Sequence, residues 1–191
     1  MKYNLKTYSK KLLADTLTPV SVYLRMRDKF PNSLLLESSD YHANDNSFSY
    51  ICFNPIASIK VENETIFQHF PDGKSTTIEI SEKTNVNRSN IRETTKKILS
   101  LIFGFMAFDA VRYFEDIELQ KKEENLEMPD LFYAVYQNII AINHFNNEAY
   151  IFAHTFEAEN NIPQIEQILK SKSFAEYPFK RNGERTTNLN D

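Results

Sequence analysis

"LFYAVYQNIIAINHFNNEAYIFAHTF", residues 131–156, holds the two longest runs of alternating apolar residues in the chain. A period of two is the signature of a strand with one buried face. Between the runs stand Asn146 and Asn147, which suit a hairpin turn because Asn tolerates left-handed backbone and bonds its own chain. The stretch therefore predicts two long strands paired antiparallel. Upstream, "SFSYICFN", "ASIKVEN", "TIFQHF" and, after the turn signal Asp72-Gly73, "STTIEI" are short alternating runs that predict an antiparallel meander. Helices punctuate the strands. Thr18 as N-cap, Pro19 at the first helical position and Pro31 as a stop predict about three turns, with Val20, Tyr23, Leu24 and Phe30 inward. Ser89 opens a second helix through Ser100, with Ile91, Ile98 and Leu99 inward, and Pro163 opens a last one with Ile162, Ile165 and Leu169 on one face. Strands grouped in hairpins, with helices between groups, predict the α+β class rather than a parallel α/β fold.

With 191 residues, 41% hydrophobic, the chain is long enough for one domain with a real core. Residues 1–172 are read as that domain and the polar stretch 173–191 as a linker. A net charge of -4, with Lys and Arg dispersed, lacks the basic footprint of nucleic-acid binding. A single cysteine, Cys52, excludes an internal disulfide. No run approaches the roughly 20 apolar residues that span a bilayer, and "MKYNLKTYSK" carries no apolar h-region. The expectation is a soluble cytoplasmic protein without nucleic-acid or membrane partners. Three glycines, two isolated in "PDGK" and "RNGE", leave no phosphate-cradling loop of either common type.

Catalytic constellations are equally absent from the sequence. His42, His69, His144 and His154 sit on separate elements without a ligand-spaced partner, so no metal site is expected. No G-x-S-x-G or S-x-x-K pattern occurs, and Cys52 lies in an apolar strand where a thiol is inert. Asp109, Glu115 and Asp116 surround a one-turn helix. Either Asp109 caps "AVRYFE" and Glu115 pairs with Arg112, or the carboxylates act as paired acid and base.

One strand ends unusually. "LLLESSDY", residues 34–41, passes from an apolar run, read as a buried strand from Ser33 to Leu36, into Glu37, Ser38, Ser39 and Asp40 with no basic neighbour. Ser38 and Asp40 can bond nearby backbone N–H groups in an Asx or Ser turn. Alternatively, the carboxylate and hydroxyls can meet the ammonium group of an amino acid, with apolar pocket walls from a facing sheet.

Several segments together resemble one family. "LLLESSD", "SFSYICFNP", "GFMAFDAVRYFE" and "PDLFYAVYQNIIAINHFNNEAYIF" are similar, in order and spacing, to the N-terminal domain of anthranilate synthase component I, a chorismate-using enzyme of tryptophan biosynthesis. The specific signals are Leu-Leu-Glu-Ser and the run Gly104, Ala107, Asp109, Arg112 and Glu115. The resemblance implies a parent enzyme, a lyase, whose C-terminal domain holds chorismate and magnesium. This segment itself would carry no catalytic residue and no cofactor. It would contribute a feedback pocket for L-tryptophan in which Leu36 lies against the indole, Glu37 faces the ammonium group and Ser38 hydrogen-bonds the amino acid. Asp109 and Arg112 would be structural. Implied partners are the chain's own C-terminal domain and a glutamine amidotransferase subunit, with self-association where the domain interface is bare. Many relatives have Arg-Tyr-Ser-Phe-x-Gly where this chain has Ser47 to Cys52, so the basic residue that strongly tryptophan-responsive members place near Phe48 is missing. The same domain also occurs in aminodeoxychorismate synthase component I; a subunit-docking module and a stand-alone amino-acid sensor are the readings from other classes.

Overall fold

A computed structural model of the chain describes residues 5–37, 47–80, 102–115, 117, 128–156 and 160–171. Its spine is a pair of long antiparallel strands, β3 (Phe48–Glu62) and β7 (Leu131–Asn143). One end of the spine is flanked by β2 (Leu34–Glu37) on the β3 side and by β8 (Glu148–Thr155), then β1 (Lys6–Leu13), on the β7 side. The other end is flanked by β4 (Thr65–His69) and β5 (Ser75–Glu79) on the β3 side and by β6 (Ile102–Met106) on the β7 side. All these pairings are antiparallel, as the α+β reading requires.

The runs "SFSYICFN" and "ASIKVEN" are not two strands but one. They join through Asn54, whose φ is 59°, and a bulge between Pro55 and Ala57. Strand β2 pairs only as far as Cys52 and β4 begins only at Ser58. Pro55 sits in that gap, where one edge of β3 has no partner among the described strands and a missing N–H is tolerated. The bulge divides the spine into two half-sheets.

Helix α1 (Pro19–Arg27) starts where the sequence places it, with a reciprocal capping box: the Ser21 N–H donates to Thr18 Oγ1 and the Thr18 N–H to Ser21 Oγ, both 3.2 Å. Its buried face differs from the expected one. Val22 and Met26 are buried, whereas Val20 is 49% exposed and Tyr23 and Phe30 pack only at the margin. Apolar residues occur on two faces of this short helix, and docking onto the sheet selects the i, i+4 pair that meets Ile51 and Phe53. Helix α2 (Ile162–Lys170) buries Ile162, Ile165 and Leu169 as read from the sequence. Each such side chain contributes roughly 2 kcal/mol. Asn138, fully buried in β7, exchanges hydrogen bonds with Asn161 at the start of α2 (2.8 and 3.0 Å).

Beyond β6 the chain forms a short 3-10 helix, Phe108–Tyr113. Its cap is Ala107, without a side-chain bond, so Asp109 does not cap it. Nor does Arg112 pair with Glu115. Its Nη2 donates instead to both carboxylate oxygens of Asp130 (2.9 and 2.8 Å), of which Oδ2 also accepts from the Tyr113 hydroxyl (2.8 Å). The knot pins the 3-10 helix to the start of β7 over a second core of Ile59, Val61, Ile66 and Leu131. A third cluster, Cys52, Ala134, Tyr136 and Ile139 with Leu34, Tyr50 and Phe103 at its margin, bridges the two half-sheets. The helix expected over residues 89–100, and the linker 173–191, lie outside the described residues.

Candidate functional site

The sheet's register brings four strand ends together. Across β2, β3, β7 and β8 run two adjacent rows: Glu37, Ser49, Ile142, Ala149 and, one step inward, Leu36, Tyr50, Ala141, Tyr150. Successive strand residues point to opposite faces. Glu37 therefore shares the helix-covered face with Ser49, while Leu36 shares the other face with Tyr50. A ligand that touches both must straddle the end of β2. Ser38 lies outside the described residues.

Strand β2 is less buried than its sequence implies. Leu34, Leu35 and Leu36 are half-buried and Glu37 is exposed, because β2 is a four-residue strand paired on one side only among the described strands. Among the described residues no group hydrogen-bonds or ion-pairs with the Glu37 carboxylate. The apolar side of the strand end is aromatic: Phe48 and Tyr50 stack at 6.0 Å between ring centroids, and Phe103 lies 5.6 Å beyond Tyr50. An apolar wall beside an unpaired carboxylate is chemistry suited to a small amphipathic cation.

The polar side has a feature that sequence reading missed. Ser49 is fully buried, and its Oγ lies 2.7 Å from Nε2 of His144, the first residue of the β7–β8 turn. The His144 N–H donates to the Ser47 carbonyl (3.0 Å), and Asn143 Oδ1 accepts from the N–H groups of Phe145 and Asn146 (2.9 and 3.1 Å), which fixes the turn. No spacing rule could pair Ser49 with His144. Only the β3–β7 register, which sets Phe48 opposite Asn143, brings them together.

The nearest cation on the adjoining strands is already committed. Lys11 Nζ lies 2.6 Å from Glu148 Oε1, and the Tyr150 hydroxyl donates to Glu148 Oε2 (2.8 Å). The Lys11 hydrogen bond holds the Glu148 carboxyl below its ordinary range, and the same bond raises the Lys11 ammonium. Burial pushes the Cys52 thiol up to about 12, so it stays protonated and unreactive at neutral pH. Among the described residues no three His, Cys, Asp or Glu side chains are grouped to hold a metal, and no helix is long and apolar enough to cross a membrane. Arg112 contacts Asp130 and Tyr113 rather than Glu115, and Asp116 lies outside the described residues.

Residues 32–190 match the family model of the chorismate binding enzyme. The chain belongs to this family. It is 32% identical over 147 residues to anthranilate synthase component 1 of Lactococcus lactis subsp. lactis (strain IL1403), covering 71% of this chain and 29% of that protein. The corresponding protein of Aquifex aeolicus (strain VF5) is 24% identical over 200 residues, 98% of this chain and 39% of the relative. The chain thus spans about a third of the relatives it matches. The solved component I of Streptococcus pneumoniae TIGR4 covers 84% of this chain and 36% of its own, with 21% identity and a TM-score of 0.44, a superposition too loose to locate residues by.

Proposed function

We propose that this chain is the N-terminal regulatory part of an anthranilate synthase component I, a lyase that makes anthranilate and pyruvate from chorismate and glutamine or ammonia, and that it carries the L-tryptophan feedback pocket. The observation that carries the reading is the exposed Glu37 carboxylate, unpaired among the described residues, at the end of a strand whose other face is lined by Leu36, Phe48 and Tyr50. Glu37 takes the ammonium group, Leu36 and Tyr50 flank the indole, and Ser38 hydrogen-bonds the amino acid.

The chorismate site and its magnesium belong to a C-terminal domain of the same enzyme. A seat for that domain is proposed where β6 leaves the sheet, at the exposed Met106, Phe108 and Met128. Bare, this seat drives self-association; covered, it joins sensor to catalyst. A glutamine amidotransferase subunit supplies ammonia. Tryptophan favours an arrangement of the two domains that binds chorismate poorly, and by linkage chorismate weakens tryptophan binding by the same factor, typically about 5- to 150-fold.

The test is a chorismate-to-anthranilate assay on the full-length protein that carries this chain, with ammonia as nitrogen donor and L-tryptophan as inhibitor. Glu37→Ala and Ser38→Ala retain turnover and raise the tryptophan concentration for half-inhibition at least about 10-fold, the worth of one charge-assisted hydrogen bond. Unchanged inhibition in Glu37→Ala would refute the assignment of the pocket, and absence of anthranilate would refute the reaction.

A further inference from the structure

Lys11, on the strand beyond β8, is tied to Glu148. A zwitterionic ligand nevertheless needs a partner at each end, because a desolvated carboxylate without a donor is costly. The Ser49–His144 pair has the chemistry to supply one. Ser49 is fully buried, so its hydroxyl proton needs an acceptor, and His144 Nε2 at 2.7 Å is the acceptor among the described residues. A hydroxyl that donates to Nε2 leaves the imidazole proton on Nδ1. The arrangement that gives the buried hydroxyl its acceptor therefore offers Nδ1–H as a donor. That nitrogen makes no hydrogen bond to a described residue, and the His144 side chain is only half-buried.

Position agrees with chemistry. Glu37 and Ser49 are direct cross-strand partners on the same face, which sets their Cβ atoms about 5 Å apart. An α-amino acid carries ammonium and carboxylate on one carbon, so its two receptors must lie within one residue's reach of each other. The register sets Glu37 beside Ser49, and Ser49 holds the imidazole, so the two receptors flank one residue of β3.

Resting on the amino-acid-site reading above, we propose that His144 is a ligand-binding residue that donates Nδ1–H to the carboxylate of the bound amino acid, opposite Glu37 on the ammonium, and that Ser49 is its positioning residue. The site then selects a complete α-amino acid over an amine or an acid bearing the same side chain.

Calorimetric titration of the full-length protein with L-tryptophan, tryptamine and indole-3-propionate separates the two ends. His144→Phe weakens L-tryptophan about 10- to 100-fold, the range for hydrogen bonds to charged groups, and leaves tryptamine, which has no carboxylate, unchanged. Ser49→Ala keeps the imidazole but frees it to rotate, so it lowers the preference for L-tryptophan over tryptamine by a smaller factor. Glu37→Gln weakens both amines and spares indole-3-propionate. Equal losses for L-tryptophan and tryptamine in the His144 and Ser49 variants, or no loss in either, would overturn the role of His144 while leaving the amino-acid site standing. A native protein that binds none of the three compounds would overturn both.

Discussion

Gly104→Ala puts the packing of β6 against β7 to a quantitative test. Gly104 faces Tyr133 in the register of these strands, and a Cβ added there would lie 2.0 Å from the Phe132 carbonyl oxygen, 2.7 Å from the Tyr133 Cα and 2.8 Å from its Cδ1. Two of the three obstacles are backbone, which cannot rotate away. Bringing the closest contact to an ordinary separation means moving the strands apart by more than an ångström, enough to break the ladder bonds beside it. Overpacking of a rigid site costs about 1–3 kcal/mol and occasionally more; with backbone on the receiving side the upper figure applies. At about 2–4 °C per kcal/mol for a chain of this length, thermal denaturation should show a fall of roughly 6–12 °C. Tyr133→Ala in the same chain relieves only the ring contact and should not restore the loss. A melting point within about 2 °C of the native chain, or full rescue by Tyr133→Ala, would refute the reasoning. The need is for space, since Gly104 does not adopt a positive φ.

Asp130→Ala removes the acceptor of both Arg112 and Tyr113. Arg112 is 37% exposed in its side chain and recovers water, but the Tyr113 hydroxyl, in a residue 7% exposed, does not, so urea denaturation should show a loss of about 2 kcal/mol, with Asp130→Asn milder. His154, 3% exposed with Thr7 Oγ1 on its Nδ1, has its pKa lowered from 6.5 by burial. The unfolded chain therefore takes up this proton first: the contribution is complete above about pH 6.5 and is lost as pH falls through the lower folded value. Urea midpoints between pH 7 and pH 5 should fall less in His154→Gln than in the native chain; equal slopes would sink the assignment.

The hairpin 131–156 was legible because its two apolar runs are long and an Asn-Asn turn divides them, although 138–143 are buried on both faces, and α2 because its three apolar residues occupy one face. Strand β1 was not. "KTYSKKLL" is exposed along almost its whole length as an edge partner of β8, so burial imprints no alternation on it. The continuity of β3 was hidden by Pro55, which ends a strand by local rules and survives here because neither β2 nor β4 reaches it. The unusual end of β2 was visible as a carboxylate without a basic neighbour. Its companion Ser49–His144 spans 95 positions and depends on the β3–β7 register, which no local pattern encodes.

The placement of the candidate site bears on how it could regulate a reaction elsewhere. Leu36 and Glu37 point to opposite faces, so a ligand held by both sits across the end of β2 and not within either layer. The last registered pair of that ladder is Glu37 with Ser49. A ligand that prefers one arrangement of the strand end has that terminal pair and a strand of four residues to reorganise. Three residues further in, at Leu34 and Cys52, the same displacement would disturb the cluster that bridges the half-sheets, at the cost of dry apolar contacts. Allosteric coupling of the usual size needs only about 1–3 kcal/mol of differential binding, the worth of one or two hydrogen bonds to charged groups. A strand end with one unpaired carboxylate and one free imidazole donor among the described residues can supply that difference without disturbing the core beneath it.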